Sequence, residues 1–292
     1  MCGVIGIYSE NENLTPHIAY YSLFSLQHRG QESAGIATYN NGNISVYKGM
    51  GLVTQVFNGK ILKKLEGKVS IGHVRYSTTG ESKIENAQPL FVKSKAGNLA
   101  IAHNGNLVNY WELRKELENS GRIFLTESDT EVIAHLLSSY LIEYDVVEAL
   151  ELLTEKLVGS YTLTILYNDI LIGYRDPYGF KPLCIGKGDF GYLIASESCA
   201  IDGSEAEFIR DIRPGEAIII QNGQPEFIRV KKGKRKSLCV FEYIYFARPD
   251  SIIDGRSVYK VRYNSGRYLA QESPVDADVV SPIPDSGITV SI

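Results

Sequence analysis

Residues 2–8 form an apolar, β-branched run interrupted only by Gly3 and Gly6, which predicts a buried strand at the very start of the chain. From 15 to 27, Ile18, Tyr21 and Leu26 recur at helical spacing, with Pro16 in the first turn and Gly30 as the stop. Residues 35–39 and 43–47 flank Asn40-Asn41-Gly42 and read as a hairpin. Strands are predicted at 69–75 and 99–103. A helical block follows: 111–117 behind the capping pair Asn109 and Glu112, then a helix from Asp129 whose Val132, Ile133, Leu136, Leu137, Tyr140 and Leu141 make a broad apolar stripe, then 146–157. After Gly159 the period returns to two, with strands at 160–167, 170–174, 183–185, 192–196, 217–220 and 227–230. Strand blocks on both sides of a helical block predict packed sheet and helix layers, not regular βαβ alternation.

Lys231-Lys232-Gly233-Lys234-Arg235-Lys236 breaks this pattern. Without interleaved aromatics it reads as a solvated linker rather than a nucleic-acid surface, and it sets an expected boundary between a domain at 2–235 and a second at 239–292. The second segment holds an aromatic run at 239–247, a helix near 258–271 and an apolar run at 278–284. Val279, Val280 and Ile283 in that run are expected to form an edge strand without neighbours.

Composition changes this picture little: 292 residues, 44% hydrophobic and 22% charged, fit an ordinary globular chain. Lys+Arg 30 against Asp+Glu 34 gives a net charge of −4, which offers no long-range attraction for nucleic acid or anionic lipid. No run approaches a transmembrane length, and the N-terminus lacks a basic, then apolar, export signal. Cys2, Cys184, Cys199 and Cys239 are too scattered for a disulfide framework or a paired metal site, so a reducing cytoplasm is expected.

Chemistry enters at Cys2. Removal of Met1 would leave a thiol and a free α-amine on one residue, a nucleophile carrying its own base; the alternative is a small apolar side chain in a terminal strand. Arg75 ends an apolar strand, suited either to clamp a carboxylate or to form a structural ion pair. Asn104 and Gly105 offer an amide donor beside an unshielded N–H, either an oxyanion hole or a plain Asn-Gly turn. Asp129 opens a helix, as a cap or as a partner for an ammonium group. His17, His28, His73, His103 and His135 never reach metal-ligand spacing, and no metal is expected for this chemistry.

The segments MCGVIGIYS, LQHRGQESAG, GHVRYSTTG, NAQPL, AHNGNL, SDTE, RDPYGFKPL, ASESCA and CVFEYIYFARPDS follow one another in this order and cover nearly the whole chain. Together they resemble the glutamine amidotransferases of the N-terminal-nucleophile class (class II), and more narrowly the amidophosphoribosyltransferase family. The resemblance implies an α+β fold, the four-layer αββα N-terminal-nucleophile hydrolase sandwich, followed by the beginning of an α/β type I phosphoribosyltransferase domain. It implies that Cys2 hydrolyses glutamine, with Asn104 and Gly105 as the oxyanion hole. Arg75 would bind the α-carboxylate and Asp129 the α-ammonium; Arg29, on a loop closing over the site, and Thr78 would complete the substrate contacts. In the complete enzyme the ammonia displaces pyrophosphate from phosphoribosyl pyrophosphate, giving phosphoribosylamine in the first committed step of purine synthesis.

The same resemblance implies magnesium for the phosphoribosyltransferase half, feedback purine nucleotides and a homo-oligomer when full length. Some relatives carry an iron–sulfur cluster; Cys239 stands in the matching segment, but no further ligands are found and a structural thiol is expected. No Gly-Thr-Thr-type phosphate loop is present, so the chain is expected to be a fragment of a longer enzyme. Hexosephosphate aminotransferases and asparagine synthetases share the cysteine chemistry; the 243–250 segment and the Arg175-Asp176-Pro177-Tyr178-Gly179 turn favour the purine enzyme. A non-catalytic regulatory module is the other alternative, which intact Cys2, Arg75, Asn104, Gly105 and Asp129 argue against.

Overall fold

The computed structural model describes residues 2–77, 81–233 and 235–292; Thr78 lies outside them. The chain opens with β1 (Gly3–Ser9), α1 (Thr15–Ser25), β2 (Ser33–Asn40), β3 (Asn43–Met50), the short helices α2 (Val53–Val56) and α3 (Gly59–Leu62), and β4 (Val69–Arg75). Next come β5 (Leu90–Ser94), β6 (Gly97–Leu107), α4 (Tyr110–Asn119), α5 (Asp129–Tyr140), α6 (Val146–Lys156), β7 (Gly159–Tyr167) and β8 (Ile170–Arg175). Then follow β9 (Cys184–Gly188), β10 (Gly191–Ala195), α7 (Ser198–Asp202), β11 (Glu207–Asp211), β12 (Glu216–Gln221) and β13 (Gln224–Arg229).

These strands build a seven-stranded sheet in the order β11-β9-β10-β1-β4-β2-β3 and a six-stranded sheet in the order β13-β12-β8-β7-β6-β5. Side-chain alternation makes the layers. On β1, Ile5 and Ile7 face one way and pack with Ala19 and Leu23 of α1 and with α7. Val4 and Tyr8 face the other way, into a core shared with Ile71 of β4, Ala100 and Ala102 of β6, and Ile218 and Ile220 of β12. The far face of the second sheet, Leu99, Ile101 and Leu163, is covered by α4, α5 and α6. The result is the expected helix–sheet–sheet–helix sandwich, with the α5 stripe turned onto the sheet.

Local expectations fail where side chains find distant partners. Asn109 does not cap α4: its amide donates to the Lys156 carbonyl (2.9 Å) and its oxygen accepts from Val158 N (3.0 Å), closing the helical layer instead. Ser128, not Asp129, caps α5 through Thr130 N. The five-residue strands β5 (LFVKS) and β11 (EFIRD) are too short and too irregular in apolar alternation to stand out in the sequence. Residues 278–284 form no strand; Val279, Val280 and Ile283 lie in exposed irregular chain before a short helix, α9 (Ser286–Val290), with α8 spanning Val258–Glu272.

The basic stretch is tied down more than a free linker would be. Lys231 N reaches the Gly215 carbonyl (3.1 Å), Ser237 N the Tyr178 carbonyl (2.8 Å), and Lys236 pairs with Asp254 (2.9 Å). Asp254 also takes both terminal nitrogens of the fully buried Arg175 (2.8 and 3.0 Å). Residues beyond 235 therefore complete ion pairs that begin inside the sandwich. Among the described residues no helix is long and apolar enough to cross a membrane.

Candidate active site

The space between the sheets is apolar until one end, where the same inward-facing registers turn polar. Cys2 continues the Val4 face of β1; His73 and Arg75 continue the Val69 and Ile71 face of β4; Asn104 continues the Ala100 and Ala102 face of β6. All four are buried. Pairing of Gly3 with Val74 sets Cys2 beside the Arg75 end of β4. The two sheets meet through side chains: Cys2 N donates to Asn104 Oδ1 (3.1 Å), and His73 Nε2 donates to the His103 carbonyl (3.1 Å).

That first bond fixes the Asn104 amide. Its oxygen faces the Cys2 nitrogen, so Nδ2 faces away, and this buried donor has no partner among the described residues. Gly105 follows at a point where a side chain has no room: a Cβ would lie 2.0 Å from the Ser160 carbonyl oxygen and 2.5 Å from His103 Nε2. The Cys2 thiol contacts the Tyr76 carbonyl (3.5 Å); burial pushes its pKa up, and Arg75 is among the charges that oppose this.

Arg75 Nη1 lies 3.3 Å from Glu32 Oε2, while Glu32 Oε1 accepts the N–H (2.8 Å) and hydroxyl (2.7 Å) of Ser77. Burial raises the Glu32 pKa, but these bonds and Arg75 more than offset it and hold the carboxyl below its usual range. Asp129 accepts from Leu107 N (2.9 Å) and lies 3.5 Å from His103 Nδ1. Burial works against its charge; His103 and the amides of Leu107 and Thr130 win, and its pKa is lowered. The site thus gathers a cation, an anion, a thiol and a buried amide donor that has no partner among the described residues.

Sequence reasoning missed the groups that hold these residues. Gln88, in the NAQPL segment, accepts from His103 N (2.8 Å) and donates to Thr130 Oγ1 (2.9 Å), joining the β6 strand to α5. Glu32 and Glu197 were also overlooked; the available signal was a lone acid among small or apolar neighbours. The position expected for Arg29 is corrected. It has no exposure, and its guanidinium is committed to Glu197, Glu242 and the Cys2 carbonyl, so it stands behind the nucleophile instead of on a loop over the substrate. Gly30 permits this, since a Cβ there would fall 2.5–2.6 Å from the Arg75 backbone.

His73 carries a pH signature. A carbonyl only accepts, so its proton sits on Nε2. Burial, with Arg75 adding to it, holds its pKa down to about 3. An unfolded histidine takes up a proton near 6.5 and the folded one does not, so stability present above pH 6.5 is lost as pH falls, by roughly 1.4 kcal/mol per unit. Urea denaturation at pH 7.5, 6 and 5 should show the wild type losing stability relative to His73→Gln at that slope; parallel curves would refute it.

No three His, Cys, Asp or Glu side chains among the described residues converge as a metal site. The described thiols have separate partners: Cys184 on β9 and Cys199 on α7 sit in the core with α1, donating to the carbonyls of Ala195 and Ser25, while Cys239 is half-buried near Phe180.

A family model described as a glutamine amidotransferase domain matches residues 73–203. Amidophosphoribosyltransferases of Archaeoglobus fulgidus and Methanocaldococcus jannaschii are 64% and 53% identical over 100% of this chain, which covers 64% and 65% of them. Among solved structures, the glutamine phosphoribosylpyrophosphate amidotransferase of B. subtilis complexed with ADP and GMP superposes with a TM-score of 0.92 at 45% identity, over 99% of this chain and 62% of that one. The chain thus spans a little under two thirds of the relatives it matches. Sandwich topology, site placement and full-chain identity agree: over its whole length the chain is similar to amidophosphoribosyltransferases, and residues 73–203 match a glutamine amidotransferase domain.

Proposed function

We propose that the chain hydrolyses glutamine to glutamate and ammonia with Cys2 as nucleophile. The observation that carries this is the orientation of the Asn104 amide: the buried Nδ2 has no partner among the described residues, because Oδ1 is turned to Cys2 N. Once Met1 is removed, that nitrogen is an α-amine and takes the thiol proton. The thiolate adds to the side-chain carbonyl of glutamine, and the oxyanion is received by Asn104 Nδ2 and the Gly105 N–H. The proton returns to the leaving nitrogen, ammonia departs, and water cleaves the glutamyl thioester to glutamate and free thiol. Arg75 and Asp129 hold the α-carboxylate and α-ammonium; Thr78 is assigned to the same substrate pocket by family resemblance alone.

In the whole protein we assign the ammonia to phosphoribosyl pyrophosphate, where it displaces pyrophosphate to give phosphoribosylamine for purine synthesis in the cytoplasm. Full-chain identity to relatives named for that activity supports this over a hexosephosphate aminotransferase or a regulatory homologue. Magnesium and feedback purine nucleotides would act in the phosphoribosyltransferase half, and a homo-oligomer is expected of the full-length enzyme.

Glutamate release from glutamine, measured with the mass of the mature chain, tests the hydrolase. Arg75→Lys keeps the charge and loses the two-pronged donor. It should raise KM for glutamine about tenfold or more, with a smaller change in kcat. An unchanged KM would remove Arg75 from the substrate site.

A further inference from the structure

Resting on the assignment of Cys2 as nucleophile, we propose that Glu242 is a positioning residue for it, acting through Arg29 together with Glu197. Arg29 Nε donates to the Cys2 carbonyl (2.9 Å) and so fixes the peptide that orients both the thiol and the future amine. The other guanidinium nitrogens go to two carboxylates without solvent exposure: Nη1 to Glu197 and to Glu242 Oε2 (2.9 Å), and Nη2 to Glu242 Oε1 (3.0 Å). Lys181 Nζ lies 3.6 Å from Glu242. Arg29 and Lys181 thus face two buried acids, with His28 Nε2 also on Glu197 (2.8 Å), an arrangement that tolerates little displacement because each unpaired buried charge would be costly.

Glu242 does not come from the sandwich. It opens a single wide helical turn, Glu242–Phe246, in the segment beyond the basic stretch. The same segment fixes the second carboxylate, since Glu197 also accepts from Arg248 N (2.9 Å) and Ser251 Oγ (2.7 Å). At the other end of the turn, the Phe246 ring meets Tyr76 edge-on at 6.1 Å, and the Tyr76 carbonyl is the contact of the Cys2 thiol. One five-residue turn thus bears on the nucleophile from both its carbonyl and its thiol side. A segment serving only as a spacer would need neither contact.

The experiment uses the full chain. Glu242→Gln removes the charge and misplaces a donor toward Arg29, whereas Glu242→Asp keeps the charge on a shorter arm. Both should lower kcat for glutamate release, by tenfold or more for Gln and less for Asp, with KM within about twofold. The plateau rate of Cys2 alkylation by iodoacetamide, taken from its pH profile, should rise at least threefold as the loosened thiol leaves its pocket. Asp250→Asn, an exposed partner of Arg248 on the same segment, should leave both unchanged.

Wild-type kcat in both Glu242 variants, alongside an inactive Cys2→Ala, overturns the proposal and leaves the glutaminase standing. If wild type and Cys2→Ala release glutamate equally, the nucleophile assignment falls instead. The alkylation plateau then decides the positional claim alone: a raised plateau supports it and an unchanged one overturns it. Should Glu242→Gln fail to fold, Glu242→Asp carries the same comparison.

Discussion

Cys2→Ala should abolish glutamate release, by at least about 10³-fold, while leaving the fold in place. The size of the effect follows from what the substitution removes. No other described side chain in the site is a nucleophile: Asn104, Arg75, Asp129 and His73 bind, orient or stabilise, and His73 is held neutral by burial. Without the sulfur there is no thioester, and the remaining groups can only polarise the amide for attack by water. The structural cost is small by comparison. Cys2 is a small side chain 8% exposed, and its thiol makes one weak contact, to the Tyr76 carbonyl. Replacing it should change unfolding free energy by no more than about 1 kcal/mol. Mass spectrometry of the mature chain, a thermal melt and a glutamate assay check the three parts together. A variant that folds, has lost Met1 and still turns over glutamine at the wild-type rate would end the assignment.

The layers were legible in the sequence because the buried strands keep a period of two and the helices on the outer face keep a stripe. Val4, Ile71 and Ala102 had to face one way and Ile5, Ile7 and Ile101 the other, and the structure assigns them to different cores accordingly. Cys2, Arg75 and Asn104 were legible for a related reason: each is a polar or reactive group where an apolar register stops. What stayed hidden was long-range pairing of charges. Arg29 shares a turn with Gln27 and His28, and nothing local says that it lies without exposure between Glu197 and Glu242, residues 168 and 213 positions away. Ion pairs across the basic stretch were hidden in the same way. Composition changes there, yet Arg175 and Arg29 find carboxylates beyond it, at Asp254 and Glu242.

Asn104→Ala separates the binding of glutamine from its chemistry. The amide is held in one orientation, because Cys2 N is a donor and takes the oxygen (3.1 Å), so Nδ2 faces away with no partner among the described residues. An unpaired buried donor is costly in a resting protein. The cost is recovered only when an acceptor arrives, and the acceptor with the greatest demand is the oxyanion of the tetrahedral intermediate, not the neutral carbonyl of bound glutamine. Removing the amide should therefore lower kcat by about 10²–10³-fold, some 2.7–4 kcal/mol of barrier. KM should change by no more than a few-fold, since the charged ends of the substrate are assigned to Arg75 and Asp129. Asn104→Asp should do no better, because a carboxylate cannot donate and would place like charge against the oxyanion. Steady-state kinetics on the two variants beside the wild type decide the matter. A rise in KM matching the fall in kcat/KM, with kcat within about threefold, would mean that Asn104 holds the ground state and that the oxyanion is stabilised elsewhere.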